Sequence, residues 1–413
     1  MSSAYRIINI LSFSLIFIGY FLFPWKINQG IALVGLGLIS WAIFNLRSEN
    51  IKKWLSDPLT KLILAFLLIC IFQTINTPEI WSASASDSIS RYYKYIFSIL
   101  AIAAMNEKHI RNACLKAFFA SILLIVISMH LNIFWNLPWS NPTIKGWGND
   151  QTVVGDYITQ NLFVCLFIIL SLDFFKKSIN LHQKIFFSTC FFMGVHAILF
   201  LSIGRTGYVL LTSALGIYTL WAIQSKWKWP VLIVIIGSVS IALYSSQHAS
   251  DRVKLAVTEA NNAITDIQNN KAPELTSIGA RIYMWDQTWK IISQKPIAGW
   301  GIGSYPHQWC KTVPEYWCNE TAKYHPHNQY LMFWVELGII GLFFYLAILW
   351  YLMRQGYRDK NNGGPLAALI IILIIDSLIN SPLYVRREYQ FFLLSIPLLY
   401  SYIRSSTKKN QLN

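Results

Sequence analysis

Tyr324-His325-Pro326-His327-Asn328-Gln329-Tyr330-Leu331-Met332-Phe333-Trp334-Val335-Glu336-Leu337-Gly338-Ile339-Ile340-Gly341 sets two imidazoles at the mouth of a long apolar run. A group that can take a proton near neutral pH is thereby held where a helix enters a membrane. At such a boundary a polar reaction can meet a lipid substrate. His327 directly precedes Asn328 and the helix start, and His325 lies before Pro326 in the preceding loop. The residues alone do not choose between them as the proton acceptor. Glu336 falls two to three turns into the apolar run, a place suited to packing or a hydrogen bond more than to chemistry. Asp376, inside a later apolar run, has the same status.

The rest of the chain explains what the apolar run is. Of 413 residues 54% are hydrophobic, 15% aromatic and only 13% charged, with a mean hydropathy of +0.42. That is far from a water-soluble domain. Runs of roughly 16 to 22 apolar residues recur, each about long enough to cross a hydrocarbon core as a helix. They lack the alternation of a membrane β-barrel, and helices satisfy their own backbone amides in lipid. The expected fold class is therefore an all-α polytopic membrane protein. Twelve spans are expected, near residues 7–23, 29–45, 59–75, 89–105, 113–131, 157–173, 184–203, 206–223, 229–245, 327–351, 365–380 and 389–403. Ile7–Phe23 has no small-residue cleavage pattern before Pro24 and reads as a retained helix.

With both termini inside, the inner segments hold nineteen basic residues and five acids, so +14 of the chain's +15 lies on one side. The basic balance is a topology signal, and no nucleic-acid partner is implied. Against that bias, Lys26, Arg91, Lys94, Lys145, Arg205, Arg386 and Arg387 fall at or near the outer face, where a cation is more often kept for a purpose. The chain divides into residues 1–245 with nine spans, an outer loop domain over 246–326, and 327–413 with three spans and a short inner tail. A smaller outer loop, about 132–156, is irregular. Within the large loop a polar helix is expected over 251–270, a break at Pro273, and an amphipathic helix through Ile282, Trp285, Trp289 and Ile292. Gly299, Gly301 and Gly303 then mark a turn. Cys310 and Cys318 share this loop and are candidates for a disulfide in an oxidising compartment. The other four cysteines lie in or beside spans.

Arg205, in Ser202-Ile203-Gly204-Arg205-Thr206-Gly207, sits in a polar break between two outer helix ends. Arg281 opens the amphipathic helix in Ser277-Ile278-Gly279-Ala280-Arg281, and Arg386 and Arg387 occupy the last outer turn beside Glu388. Guanidinium groups grip phosphate oxygens in pairs and keep their charge, as a diphosphate leaving group requires. Asp87 and Arg91 are one helical turn apart, which favours pairing and makes Arg91 a second-tier substrate contact. No Asp-x-Asp occurs and the outer acids lack ligand spacing, so neither metal nor cofactor is expected.

The Gly204-Arg205-Thr206-Gly207 turn, Gly279-Ala280-Arg281 followed by Trp285, Pro296-x-x-Gly299-x-Gly301, and His327-Asn328 with Glu336 and Gly338 together resemble the O-antigen ligase and polymerase superfamily. Thr276-Ser277-Ile278-Gly279-Ala280-Arg281 is most similar to the lipopolysaccharide O-antigen ligases. The resemblance implies an inverting, metal-independent glycosyltransferase of the GT-C type in the bacterial inner membrane. It implies an undecaprenyl-pyrophosphate-linked glycan as donor, lipid A-core as acceptor, and an active site facing the periplasm among membrane lipids. It further implies His327 as general base, Arg205 and Arg281 as pyrophosphate ligands, and His325, Arg386, Arg387 and Arg91 as further substrate contacts. A protein O-oligosaccharyltransferase acting on pilin and an O-antigen polymerase share the chemistry. Their protein-modifying relatives often carry an extra C-terminal region, whereas this sequence ends soon after Arg404. A lipid-linked glycan transporter, the reading from another class, would call for internal repeats and charges at mid-membrane, which the sequence does not display.

Overall fold

The computed structural model describes residues 3–45, 52, 54–77, 83–142, 146–245, 247–319 and 324–407, and no strand occurs among them. Seventeen α-helices are delimited among the described residues: α1 Ser3–Leu22, α2 Ile27–Asn45, α3 Pro58–Ile75, α4 Ala83–Tyr93, α5 Tyr95–Met105, α6 Lys108–Leu131, α7 Tyr157–Lys177, α8 Leu181–His196, α9 Arg205–Ala222, α10 Lys228–Ser245, α11 Gln247–Gln268, α12 Ser277–Gln294, α13 Tyr305–Thr312, α14 Glu315–Cys318, α15 Gln329–Arg358, α16 Gly364–Ile379 and α17 Arg386–Thr407. Each of the twelve apolar runs coincides with helix. Ile27–Asn45, Pro58–Ile75, Lys108–Leu131, Tyr157–Lys177, Leu181–Leu201 and Gln329–Arg358 are long and apolar enough to cross a membrane. Arg6–Leu22, Lys228–Ile241 and Gly364–Ile379 are shorter apolar helices.

The helix starts follow from their sequences. Asp156 accepts the Ile158 and Thr159 amides ahead of α7, Thr276 accepts Gly279 N–H ahead of α12, and Asn328 accepts Leu331 N–H at 3.0 Å ahead of α15. Each such cap satisfies an otherwise orphaned donor and contributes about 1 kcal/mol. Helix α7 is apolar all round and is accordingly the buried centre, with Leu162 through Leu170 enclosed by neighbours.

Three expected elements differ in detail. The run at 89–105 is divided at Lys94 into α4 and α5. The run at 184–203 ends in a π-helical turn, Ala197–Leu201. The run at 327–351 is one helix only in name, because Gly338 adopts φ 68° and ψ −174° and breaks α15 into two pieces. The segment Pro296–Gly303 fills that break. Trp300 N–H donates to Val335 O at 2.7 Å, Gly301 N–H to Glu336 O at 3.1 Å, and Ile339 N–H to Pro296 O at 3.1 Å. From α3, the Gln73 side-chain amide donates to Ala298 O. The carbonyls that the break frees are thus answered by the inserted loop, as a low-dielectric setting demands.

Helices α12 to α14 share a core with α15. Tyr283, Met284, Ile291, Ile292, Tyr305, Trp309 and Trp317 cluster with Met332, Val335 and Tyr384. The buried stripe of α12 is Tyr283, Met284, Gln287, Thr288, Ile291 and Ile292, so the expected face through Ile282, Trp285, Trp289 and Ile292 is rotated. Burial of Thr288 is possible because its hydroxyl donates to Met284 O. Trp289 instead is half exposed, edge-on to Trp334 at 5.4 Å, and Trp285 sends its indole N–H to Pro326 O at 3.1 Å. Cys310 and Cys318 are joined by a disulfide across α13 and α14, with Cα atoms 4.8 Å apart.

Candidate active site

The loop that precedes α15 is clasped from two sides. The Trp285 bond to Pro326 O holds it from α12. From the α16–α17 turn, Leu378 O accepts Asn328 Nδ2–H at 3.2 Å, and Leu383 N–H donates to Gln329 Oε1 at 2.9 Å. Between these ties His327 takes a left-handed backbone, φ 48°, uncommon outside glycine. Its ring lies 4.3 Å from the ring of His325, and His325 Nδ1 accepts the His327 backbone N–H at 3.3 Å. A neutral His325 therefore carries its proton on Nε2.

Around these rings the sequence-derived candidates fall as follows. Arg281 of α12 lies within electrostatic reach of His325, His327 and Asp376. Arg91 of α4 pairs with Asp87, as their spacing predicts, and its guanidinium lies 4.0 Å over the Tyr384 ring, which in turn is 5.7 Å from His325. Arg387 pairs with Asp156 at 3.5 Å, whereas Arg386 is exposed at the first position of α17. Arg205 begins α9, and its side chain lies outside the described residues, as does Lys145. The two glycines flanking Arg205 allow α9 to press on α7, since a Cβ at Gly204 or Gly207 would sit 2.5 Å from Tyr157 or Asn161.

Electrostatics sets the protonation of the two imidazoles. Burial, then the neighbouring Arg281, lowers His327 to about 4, against a hydrogen bond to Asn380 that favours its charged form. His325 is held well below its ordinary value by burial first, and then by His327, Arg91 and Arg281. Both rings are consequently neutral at pH 7; the unprotonated Nδ1 of His325 is taken by the His327 backbone N–H, so His327 is the ring left with a nitrogen able to accept a proton. Glu336 has the structural role expected of it: it is fully buried, accepting Tyr92 O–H at 2.6 Å and Gly303 N–H at 2.7 Å.

Residues 189–346, the stretch that contains Arg205, Arg281, His325, His327, Glu336 and Gly338, match the profile of the O-antigen ligase family. Over that stretch the chain resembles the O-antigen ligase family. An uncharacterized protein of Haemophilus influenzae is 30% identical over 231 residues, 52% of this chain and 56% of that protein, so the match spans little more than half of that relative's length. Within this O-antigen ligase region the Pro296-x-x-Gly299-x-Gly301 pattern and Gly338 are two halves of one backbone clamp. The Gly204 and Gly207 positions serve helix packing. What remains for chemistry is His327, His325 and the arginines.

Sequence reading missed one partner altogether. Asn380, six-hundredths exposed at the end of α16, donates through its Nδ2–H group to both oxygens of Glu388, at 3.0 and 2.8 Å. A weak signal existed: Asp376 and Asn380 stand four apart at the outer end of an otherwise apolar helix, a place where polar groups usually have a task.

Proposed function

We propose that this protein is an integral-membrane glycosyltransferase of the O-antigen ligase type, moving a glycan from undecaprenyl pyrophosphate onto lipid A-core at the periplasmic face. It crosses the inner membrane twelve times with both termini cytoplasmic, the orientation favoured by the one-sided distribution of its basic residues. The observation that carries the reading is a pair of imidazole rings 4.3 Å apart, held in a clasped loop at the mouth of α15.

The chemistry follows from that arrangement. The bare nitrogen of His327 takes the proton of the acceptor hydroxyl as its oxygen bonds to the anomeric carbon of the donor sugar. The bond from that carbon to the pyrophosphate oxygen breaks, its electron pair leaves with the pyrophosphate, and attack from the opposite face inverts the carbon. Arg205 and Arg281 neutralise the departing charge, with Arg91, His325, Arg386 and Arg387 as further contacts. No metal enters these steps.

An apolar cavity of about 70 Å³, room for one end of a polyprenyl chain rather than its length, lies between α15 and α17. Its wall includes Phe333, Tyr345, Leu349 and Leu352 of α15, Leu383 of the last outer turn, and Phe392 and Ile396 of α17. A lipid tail there leaves its head group near His327, because Leu383 is tied to Gln329.

The test is complementation of a deletion strain, with lipopolysaccharide read on a gel and pilin mass by spectrometry from the same cells. Lengthened lipopolysaccharide with unmodified pilin is the expected result. Modified pilin with unchanged lipopolysaccharide would transfer the reading to protein glycosylation, longer free glycan chains would indicate a polymerase, and loss of donor flipping would indicate a transporter.

A further inference from the structure

Away from the imidazoles, an open groove of about 520 Å³ follows α8 from Leu181 to Met193, beside the end of α7. Its walls are Phe175 of α7 and Leu181, Ile185, Phe192 and Met193 of α8. Leu181 is 69% and Phe192 65% exposed, so no other part of the described chain covers this face. Three polar side chains interrupt the apolar lining: Lys184, Ser188 and Thr189. At 1.5 Å per residue the two hydroxyls stand about 6–7 Å further along α8 than the lysine. A hydroxyl on a helix commonly turns back to the carbonyl four residues earlier, as those of Ser171, Ser178, Thr212 and Ser293 do here. Those of Ser188 and Thr189 make no such bond among the described residues, and an unanswered hydroxyl facing hydrocarbon is costly. The lysines that end α7 are engaged elsewhere: Lys176 lies 4.3 Å over the Trp221 ring, and Lys177 donates to Asp173 at 2.6 Å. Lys184 is exposed and has no ion pair or ring contact among the described residues. Beside it, Asn180 makes no side-chain cap, so the first amides of α8 add positive potential to the same rim of the groove.

We infer that this groove binds an anionic diacyl phospholipid of the inner leaflet. The lipid phosphate sits at Lys184 and the start of α8, its ester carbonyls accept the Ser188 and Thr189 hydroxyls, and an acyl chain lies along Ile185, Phe192 and Met193. The inference rests on the proposed termini-inside membrane orientation and not on the transfer chemistry. Its support is complementarity in order as well as in charge. Going into a membrane, a phospholipid presents phosphate, then glycerol esters, then hydrocarbon, and α8 presents a cation, then two hydroxyl donors, then apolar side chains. Basic sites between spans at the inner surface are where anionic head groups gather. A polyprenyl phosphate offers the phosphate and the tail but has no ester carbonyl for the hydroxyls. A zwitterionic head group brings its own cation against Lys184, and a second copy of the chain would have to bury that lysine unpaired.

The test titrates the full-length protein in detergent with phosphatidylglycerol, its diether analogue, phosphatidylcholine and undecaprenyl phosphate, counting bound lipid by native mass spectrometry. Wild type is expected to hold phosphatidylglycerol roughly fivefold more tightly than phosphatidylcholine, the scale of one lysine at a membrane surface. Lys184→Ala is expected to remove most of that preference and Lys184→Arg to keep it. Ser188→Ala combined with Thr189→Val is expected to weaken the diester lipid about tenfold and to leave the diether lipid unchanged. These side chains support no neighbour, so each variant is expected to melt with the wild type in lipid-free detergent, which separates lost binding from lost folding. Equal retention of phosphatidylglycerol and phosphatidylcholine by wild type, or a preference that survives Lys184→Ala, would overturn the site. Undecaprenyl phosphate that displaces phosphatidylglycerol at equal concentration, with no effect of the double hydroxyl variant, would give the groove to a polyprenyl chain instead. A dimer in the same spectra that is lost in Ile185→Ser would give it to a second copy.

Discussion

Replacement of Gly338 by alanine tests the central feature of the fold. At φ 68° and ψ −174° the backbone is in a region open to glycine and strained for any other residue, at about 1–3 kcal/mol. A Cβ there would also stand 2.1 Å from Ile297 O and 2.8 Å from the Ala298 carbonyl carbon, so the inserted loop has to retreat. Retreat endangers the bonds Trp300 N–H to Val335 O, Gly301 N–H to Glu336 O and Ile339 N–H to Pro296 O. At about 1 kcal/mol each, and with strain added, the loss is roughly 4–6 kcal/mol, a large part of the total stability of about 5–15 kcal/mol usual for a folded domain. Thermal unfolding of the full chain in detergent, followed by tryptophan fluorescence and by the monodisperse fraction on a sizing column, reads this directly. Gly237→Ala is the control, since that glycine lies within α10 with open space where a Cβ would stand, and alanine there is expected to be neutral or better. A Gly338→Ala protein that melts with the wild type would refute the clamp as the element that holds the two pieces of α15.

Three other outcomes follow from the site. His327→Ala is expected to abolish transfer while sparing donor binding, whereas Arg281→Ala weakens both; a His327→Ala protein with wild-type rates, measured at matched expression, would end the base assignment. The acid limb of kcat/KM is expected near pH 4, where the free His327 takes its proton, and the limb of kcat higher, because a bound pyrophosphate favours the imidazolium. Both depressed histidines also mean that the unfolded chain binds protons before the folded one does, so stability is full above about pH 6.5 and declines as pH falls toward 4, a trend that denaturation at stepped pH detects. Alanine at Cys310 and Cys318 opens a loop of eight-residue separation and is expected to cost roughly 2–3 kcal/mol, seen as a lower melting temperature equal to that of the reduced protein.

Helix positions were legible in the sequence because lipid leaves the backbone few alternatives: a run such as Tyr157–Lys177 can cross only as a helix, and its apolar residues mark it out at once. Interruptions were less legible. Nothing in the spacing of Trp334 to Gly341 separates a helical glycine from the break at Gly338, since the distinction depends on the loop 40 residues earlier that fills it. The face of α12 was misjudged for a related reason. Tryptophan counts as apolar in any periodicity, yet Trp285 and Trp289 have an N–H and a broad ring that suit a boundary, while Gln287 and Thr288 are buried because partners from the same outer unit satisfy them. Arg281 and His327 could be singled out by residue type, but not brought together by spacing, and Asn380 has no chemistry of its own that would mark it. Its meaning depends on Glu388, eight residues later and across a turn.

The same contrast explains how the motifs of this chain divide their work. Glycines at 299, 301 and 338 stand where two backbones meet, those at 204 and 207 stand against the Tyr157 and Asn161 side chains of α7, and none needs to touch a substrate to be required. By closing α9 onto α7 and the Pro296–Gly303 loop onto α15, they determine where Arg205 starts its helix and where the first turn of α15 points. That turn carries Asn328, and Asn328 fixes the residue before it against Leu378. A base at a membrane surface needs such support more than a base in a soluble cleft does. Water would otherwise protonate it and compete with the acceptor hydroxyl, and a ring free to rotate would present its protonated nitrogen as often as its bare one. In the proposed reaction, with burial keeping His327 neutral and the α16–α17 turn holding its loop, the arginines would draw in an anionic donor without the base being protonated beforehand, and the proton would move only when a hydroxyl arrives to give it.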